Sequence, residues 1–224
     1  MILIPCHPAF GTCVGAFHYR SAGLPEPGTG AGNREDLQMV LSYLSFRAPE
    51  LGVHVVRGIL DAGCRAVVVD GGNYELPEEL VDDSRVEILG RVPIEKLLSE
   101  AAAIVHGGGS VLTQEAVAAG IPQIAIPRNT EQGVTSAAME RAGAGLVVPV
   151  SSSPMEAVQI SKGLTTLAQL SVDTLDTRIA SALRDLVGNE TVSGAARELG
   201  DEVRSLPTVA DARVEIEALL GTRT

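Results

Sequence analysis

Residues 106–110 read His-Gly-Gly-Gly-Ser and follow four apolar residues, Ala102, Ala103, Ile104 and Val105. Consecutive glycines between an apolar strand end and a helix start let main-chain N–H groups come close to an anion. The N-terminus of the following helix adds roughly half a positive charge through its dipole. A phosphate or diphosphate is the guest this arrangement implies. The same glycines also allow tight strand-to-helix packing, and the triplet alone does not choose between the two uses.

Other chemistries built on glycine loops fit the sequence less well. A dinucleotide fold needs G-x-G-x-x-G with an acid about 20 residues further on; here the glycines are contiguous and no third glycine follows at that spacing. A Walker-type loop needs Gly-Lys-Ser/Thr, which occurs nowhere in the chain. HGGG also resembles the oxyanion-hole signature of some esterases, which require a G-x-S-x-G nucleophile elbow downstream. Ser193 sits in TVSGA and Ser110 in GGSVL, so neither has the required flanks. His7, His18, His54 and His106 are scattered with no second ligand at turn or helical spacing, and no metal site is expected.

The elements that must position the loop are legible around it. Ser110 can cap a helix through Ala119, which Gly120 closes and Pro122 prevents from resuming. Gln123–Ile126 is too short and too β-branched for a helix and reads as a buried strand. Thr130 can cap a second helix ending at Gly143, and Leu146–Val148 is the next strand. Upstream, Leu37–Ser45 has the character of a first buried strand. Pro49 starts a helix through Leu60, with Leu51, Val55, Val56 and Ile59 on one stripe and Gly63 after its end. Arg65–Val69 is a continuous apolar strand, as expected for a sheet covered on both faces. A loop, DGGNYELPEEL, then leads to a strand at Val86–Leu89 and an amphipathic helix over Ile94–Ala102. Downstream, Ser153–Leu170 reads as an irregular helix. Thr177–Val187, Ala195–Ser205 and Val209–Leu220 read as further helices. Alternation of strand and helix is the grammar of a parallel α/β sheet.

Composition narrows the partners. Apolar residues make up 45% and aromatics 3%, with no Trp, so the core must be aliphatic. Lys+Arg 17 against Asp+Glu 28 leaves a net charge of −11, which argues against nucleic acid or an anionic membrane as partner. Cys6, Cys13 and Cys64 form neither a disulfide framework nor a metal motif, which fits a reducing compartment. No apolar window reaches the length of a membrane span. A cytoplasmic location is the expectation. The stretch SAGLPEPGTGAGNRED has the composition of a linker, so residues 1–36 read as a remnant or linker from a missing N-terminal domain.

Several motifs then fall into one order. Val92-Pro93, Leu97-Leu98, His106–Gly109, Ala118–Gln123, Pro127, Glu131-Gln132 and Gly143–Leu146 occur at spacings that resemble the C-terminal, donor-binding half of GT-B fold glycosyltransferases. The flavour is that of the UDP- or dTDP-sugar transferases of macrolides and other natural products. The resemblance covers roughly Leu37 to Leu220, and AFHYRSAGLPEP looks like the family's inter-domain linker.

The resemblance implies an α/β fold, a Rossmann-like doubly wound parallel sheet with helices on both faces, over residues 37–224. It implies transfer of a sugar from a nucleoside-diphosphate sugar to a small-molecule acceptor, with inversion and without a metal or other cofactor. Donor-binding residues would be His106, Gly107, Gly108, Gly109 and Ser110 for the diphosphate, and Glu131 and Gln132 for sugar hydroxyls. The catalytic base and acceptor domain of the family lie in its N-terminal half, so no catalytic residue is assigned and the isolated chain is expected to be inactive. A homo-oligomer is compatible with the chain. Some positions depart from the family: Gly107 stands where many relatives have a phosphate-binding histidine, Val111 and Leu112 where they often have Gly and Thr, and Ile94 where Gln is common. Those losses keep a second reading open, a non-catalytic GT-B-derived interaction module or subunit with a degenerate donor site. The related N-acetylglucosamine transferases acting on lipid carriers are a weaker third, because no basic apolar patch for a membrane is found.

Overall fold

The computed structural model describes residues 2–4, 16–18, 37–44, 49–70, 75–90, 92–150 and 174–221. Strands β1 (Ile2–Ile4) and β2 (Ala16–His18) pair with each other in parallel. The remaining strands are β3 (Met39–Tyr43), β4 (Arg65–Val69), β5 (Val86–Leu89), β6 (Ala103–His106), β7 (Gln123–Ala125) and β8 (Gly145–Val147). Between them run α1 (Pro49–Asp61), α2 (Glu78–Val81), α3 (Ile94–Leu98), α4 (Ser110–Ala118) and α5 (Thr130–Arg141). After β8 come α6 (Leu175–Leu186), α7 (Glu190–Ser205) and α8 (Val209–Gly221).

These six strands form one sheet in the order β5-β4-β3-β6-β7-β8, with every neighbouring pair parallel. The chain winds outward from β3 to β5, then returns to place β6 on the other side of β3. This is the doubly wound order, and the reversal between β3 and β6 leaves a crevice outside their carboxyl ends. The expected Rossmann-like α/β class is therefore the observed one.

Strand alternation sends side chains to two aliphatic cores. Val40, Ala66, Val68, Ala103 and Val105 pack under α1 and α6, against Val55, Val56, Ile59, Ile179 and Leu183. Met39, Leu41, Val67, Val69 and Ile104 pack on the other face, against Leu98, Ala116, Ala119 and Ile121. The stripe read on α1 (Leu51, Val55, Val56, Ile59) is buried as expected. Arginines tie elements together through main-chain carbonyls, among them Arg85, which donates to Leu60 O of α1 at 3.4 Å. Arg184 donates to Asp61 O at the end of α1 (2.7 Å), Arg204 to Ala118 O at the end of α4, and Arg178 to Pro149 O (2.6 Å) and Val150 O (3.0 Å). Helix C-terminal carbonyls have no partner within their own helix, so Arg184 and Arg204 satisfy one each at the ends of α1 and α4, while Arg178 holds the chain that follows β8.

Some expectations shift. Gly109, not Ser110, is the N-cap of α4, and Ser110 is its first helical residue with no side-chain cap bond. Asn129, not Thr130, caps α5, accepting from Gln132 N at 2.8 Å. Asn is at least as good a cap as Thr, and here it comes one residue earlier. The helix read over Ile94–Ala102 stops at Leu98, and part of the acidic loop folds as α2. The helix read from Ala195 begins at Glu190, capped by Asn189, whose side chain accepts from Thr191 N and Val192 N. His106 belongs to β6 rather than to the loop. The Ser153–Leu170 helix and most of residues 1–36 lie outside the described residues.

α1 and α6 approach closely at Gly58. A Cβ there would lie 2.7 Å from Ile179 Cγ2 and 2.9 Å from Asp176 O. Gly58→Ala is expected to force the two helices apart and to destabilise the domain by about 1–3 kcal/mol, the usual range for overpacking. Urea denaturation of the variant is the measurement.

Candidate functional site

The crevice predicted by the strand reversal is present. It measures about 640 Å³ and is lined by Tyr43 at the end of β3, by His106, Gly107, Gly109 and Ser110 at the end of β6, and by residues from three further segments. Val92 and Ile94 come from the start of α3, Leu112 and Glu115 from α4, and Glu131 and Gln132 from the first turn of α5. Sites for small ligands commonly occupy 300–1,000 Å³ and favour such switch points. A second cavity of about 450 Å³ opens at the amino ends of β6 and β7, beside Ala102, Gly120 and Pro122, and meets none of the loop residues.

Each residue of the loop has a distinct position. Gly107 and Gly109 line the crevice, whereas Gly108 turns behind it with φ +78°. A Cβ at Gly108 would meet Ser136 Oγ at 2.2 Å, so α5 also presses against the loop there. Gly109 O receives the first bonds of α4, from Thr113 N (3.0 Å) and Thr113 Oγ1 (2.8 Å). The amides of Ser110, Val111 and Leu112 then have no carbonyl of their own helix to bond, as in any first helical turn. These residues all line the crevice, so the anion-seeking end of α4 faces it.

α5 begins on the opposite wall. Asn129 accepts from Gln132 N, and Gln132 Oε1 accepts in return from Arg128 N at 2.9 Å, a reciprocal arrangement akin to a capping box. The Gln132 carbonyl is thereby used, while its NH2 group bonds no partner among the described residues. Glu131 Oε1 accepts from Ser110 N at 3.3 Å and so bridges the two helix starts. The expected residues Gly107, Gly109, Ser110, Glu131 and Gln132 thus converge on one space, with Gly108 behind it.

His106 is fully buried at the back of the crevice. Its Nδ1 accepts from Gly108 N at 3.0 Å and its Nε2 lies 2.9 Å from Gln123 Oε1. Both ring nitrogens are consumed inside the protein. Burial pushes its pKa down to about 4, opposed by the Gln123 hydrogen bond. The imidazole is therefore neutral at neutral pH.

Electrostatically the crevice relies on backbone. Among the described lining residues there is no Lys or Arg, and the carboxylates are Glu115 and Glu131. Burial, and then the nearby charge of Glu95, raise the pKa of Glu115. Leu112 packs in part against the core and also lines the crevice. Among the described residues no three His, Cys, Asp or Glu side chains are grouped to hold a metal ion, and no helix is long and apolar enough to cross a membrane. Tyr43 and Glu115 were not expected at the site. Glu115 had a signal, a lone carboxylate in the otherwise uncharged helix SVLTQEAVA; Tyr43 had none, because only the pairing of β3 with β6 sets it opposite His106.

Comparison with known proteins gives this geometry a lineage. Residues 58–170 match the family described as erythromycin biosynthesis protein CIII-like, C-terminal domain. The elloramycin glycosyltransferase of Streptomyces olivaceus is 30% identical over 139 residues, which cover 62% of this chain and 29% of that protein. Among solved structures, the calicheamicin glycosyltransferase CalG4 superposes with a TM-score of 0.71 at 20% identity, covering 99% of this chain and 52% of that one. A glycosyltransferase of Streptomyces sp. SF2575, solved with thymidine diphosphate, gives 0.60 at 19% identity, covering 96% and 51%. The chain spans about half the length of these solved proteins and less than a third of the curated relative. With that match over its central half, and a sheet order and fold shared with GT-B enzymes, the chain belongs to the erythromycin biosynthesis protein CIII-like C-terminal domain family of glycosyltransferases.

Proposed function

We propose that residues 37–224 form the donor-binding domain of a glycosyltransferase that uses a UDP- or dTDP-sugar. One observation carries the reading: the first amides of α4, of which Ser110 N–H already meets the Glu131 carboxylate at 3.3 Å, and the Glu131-Gln132 pair of α5 converge on a single crevice at the switch point of the sheet. The diphosphate would lie against the amides of Ser110–Leu112. The sugar would lie toward Glu131 and Gln132, whose carboxylate and NH2 group offer an acceptor and a donor to a polyol. Transfer to a small-molecule acceptor would proceed with inversion, the departing diphosphate being stabilised by oriented amides and the helix dipole rather than by a metal or other cofactor. The acceptor and the catalytic base would come from protein outside residues 37–224, with residues 1–36 as the connecting linker. The solved relatives, about twice as long, support that division. A cytoplasmic setting fits the substrate.

Titration calorimetry of the chain with UDP and with thymidine diphosphate tests the reading. Heat of binding is expected with at least one of them, and no turnover of a nucleotide sugar by the chain alone. Glu131→Ala is expected to weaken a nucleotide sugar by about tenfold or more while sparing the diphosphate, since hydrogen bonds to charged groups contribute about 1.5–3 kcal/mol. No heat and no thermal shift with either diphosphate would favour the other reading, an interaction module with a degenerate donor site. The aliphatic side chains of Val111 and Leu112 at the mouth of the anion site are what favour it.

A further inference from the structure

Gln123 is a fully buried amide at the start of β7, outside the crevice and with no part in the donor contacts above. Its surroundings are almost entirely aliphatic, so a polar side chain there must be held by specific partners. Those partners form a single circuit. Gly108 N can only donate, so His106 Nδ1, which it meets at 3.0 Å, must be the acceptor. The neutral ring then carries its hydrogen on Nε2, and that N–H donates to Gln123 Oε1 at 2.9 Å. The Gln123 NH2 group consequently points the other way, toward Thr113 O at 3.3 Å. Thr113 in turn donates its amide and hydroxyl to Gly109 O.

We infer that Gln123 is a positioning residue for the nucleotide site: by accepting from His106 Nε2–H and donating to Thr113 O, it fixes the imidazole tautomer that holds Gly108 N–H and thereby shapes the anion loop. The inference rests on the reading of the crevice as a diphosphate site. The circuit grips the loop on both sides of its left-handed residue, at Gly108 N and at Gly109 O. Beyond it lie the first amides of α4, of which Ser110 N–H meets Glu131 Oε1 at 3.3 Å and those of Val111 and Leu112 have no carbonyl of their own helix to bond. An alternative tautomer would set an Nδ1–H against the Gly108 N–H, donor against donor, and release the turn. Second-partner control of a histidine's tautomer is familiar from other sites, where the hydrogen bond at one ring nitrogen decides the state of the other. The titratable groups on the surrounding elements are Tyr43 on β3, Glu115 on α4, and Glu131, Glu140 and Arg141 on α5. None of them hydrogen-bonds the ring, which leaves the amide of Gln123 as its one polar side-chain partner among the described residues.

Gln123→Glu tests this with a readout that simple loss of packing would not move. A carboxylate beside Nε2 draws a second proton onto the ring, and it cannot donate to Thr113 O. Binding of UDP or thymidine diphosphate by the full chain should then be weakened by about tenfold at about pH 6 and recover as the pH is raised to about 9, while the parent varies by no more than about twofold. Gln123→Leu should bind weakly with no such pH dependence. A Gln123→Glu variant whose affinity follows the parent at every pH overturns the inference. Nitrogen-15 NMR of the ligand-free chain separates it from the reading it rests on. Should the parent bind neither diphosphate, that reading fails, while an Nε2–H tautomer in the parent and a doubly protonated ring in Gln123→Glu still uphold the role of Gln123. An Nδ1–H tautomer in the parent sinks it whatever binds.

Discussion

Gly108→Ala is expected to abolish diphosphate binding and to destabilise the domain by about 2–5 kcal/mol. Two independent effects add at this position. The backbone sits at φ +78°, a conformation that costs an L-residue about 1–2 kcal/mol. The new methyl group also has nowhere to go: it would lie 2.2 Å from Ser136 Oγ and 3.2 Å from Gln132 O. Overpacking of this kind typically costs about 1–3 kcal/mol. In a domain of this size the sum corresponds to a fall in Tm of roughly 5–20 °C. Pairing the change with Ser136→Ala separates the two effects, because Ser136 Oγ is the nearest clashing atom and removing it leaves the backbone strain in place. The double variant should recover roughly half of the lost stability and little of the binding, because Gly108 N–H would still be misaimed at His106. A single variant that melts with the parent would show that the loop is not held as described.

The same residues show how far sequence carries this fold. Arg65–Val69 and Val86–Leu89 are strands to the residue, because short aliphatic runs bounded by turn residues leave few other choices. The stripe on α1 is legible for the same reason. Cap positions miss by one residue at Ser110 and at Thr130, where the neighbouring Gly109 and Asn129 can play the same part and only tertiary geometry selects between them. The site is half legible. The glycines, Glu131 and Gln132 stand out by type and order, and the crevice gathers them. His106 stands out too, yet sequence places it in the loop facing a ligand, while the fold adds it to β6 and buries it. That difference follows from pairing: Ile104 lies opposite Gln123 and His106 opposite Ala125 in the sheet, which brings the amide within reach of the ring. A lone glutamine inside the apolar run IPQIAIP was the signal for it. A buried amide needs partners, and the nearby histidine is one that sequence distance alone does not disclose.

Acid should weaken the fold through that same histidine. An imidazole has an ordinary pKa of about 6.5, and burial holds His106 at about 4. Between those two values the unfolded chain binds the proton that the folded chain refuses, so stability rises with pH across this window. The contribution is fully present above about pH 7 and is lost as the pH falls toward 4. Its ceiling is the shift itself, about 3 kcal/mol at 1.36 kcal/mol per unit. Glu115 works in the opposite sense, because a carboxyl group whose pKa is raised by burial favours the folded state when protonated and thus offsets part of the loss. Asp83 has its pKa lowered, first by its hydrogen bond from the Arg85 side chain, and its contribution fades only below the ordinary carboxylate range. Urea denaturation between about pH 7 and 4.5 should therefore show a falling midpoint, with most of the slope removed in His106→Asn, which keeps an acceptor near Gly108 N–H but cannot take a proton. Observing the ring titrate near its ordinary value by NMR, or a stability profile identical in His106→Asn and parent, would place the imidazole in water and dissolve the hydrogen-bond circuit. The loss of the circuit would also remove the reason for the loop's shape: with His106 protonated, Gly108 N–H faces another donor, and the amides of Ser110–Leu112 lose the turn that aims them into the crevice.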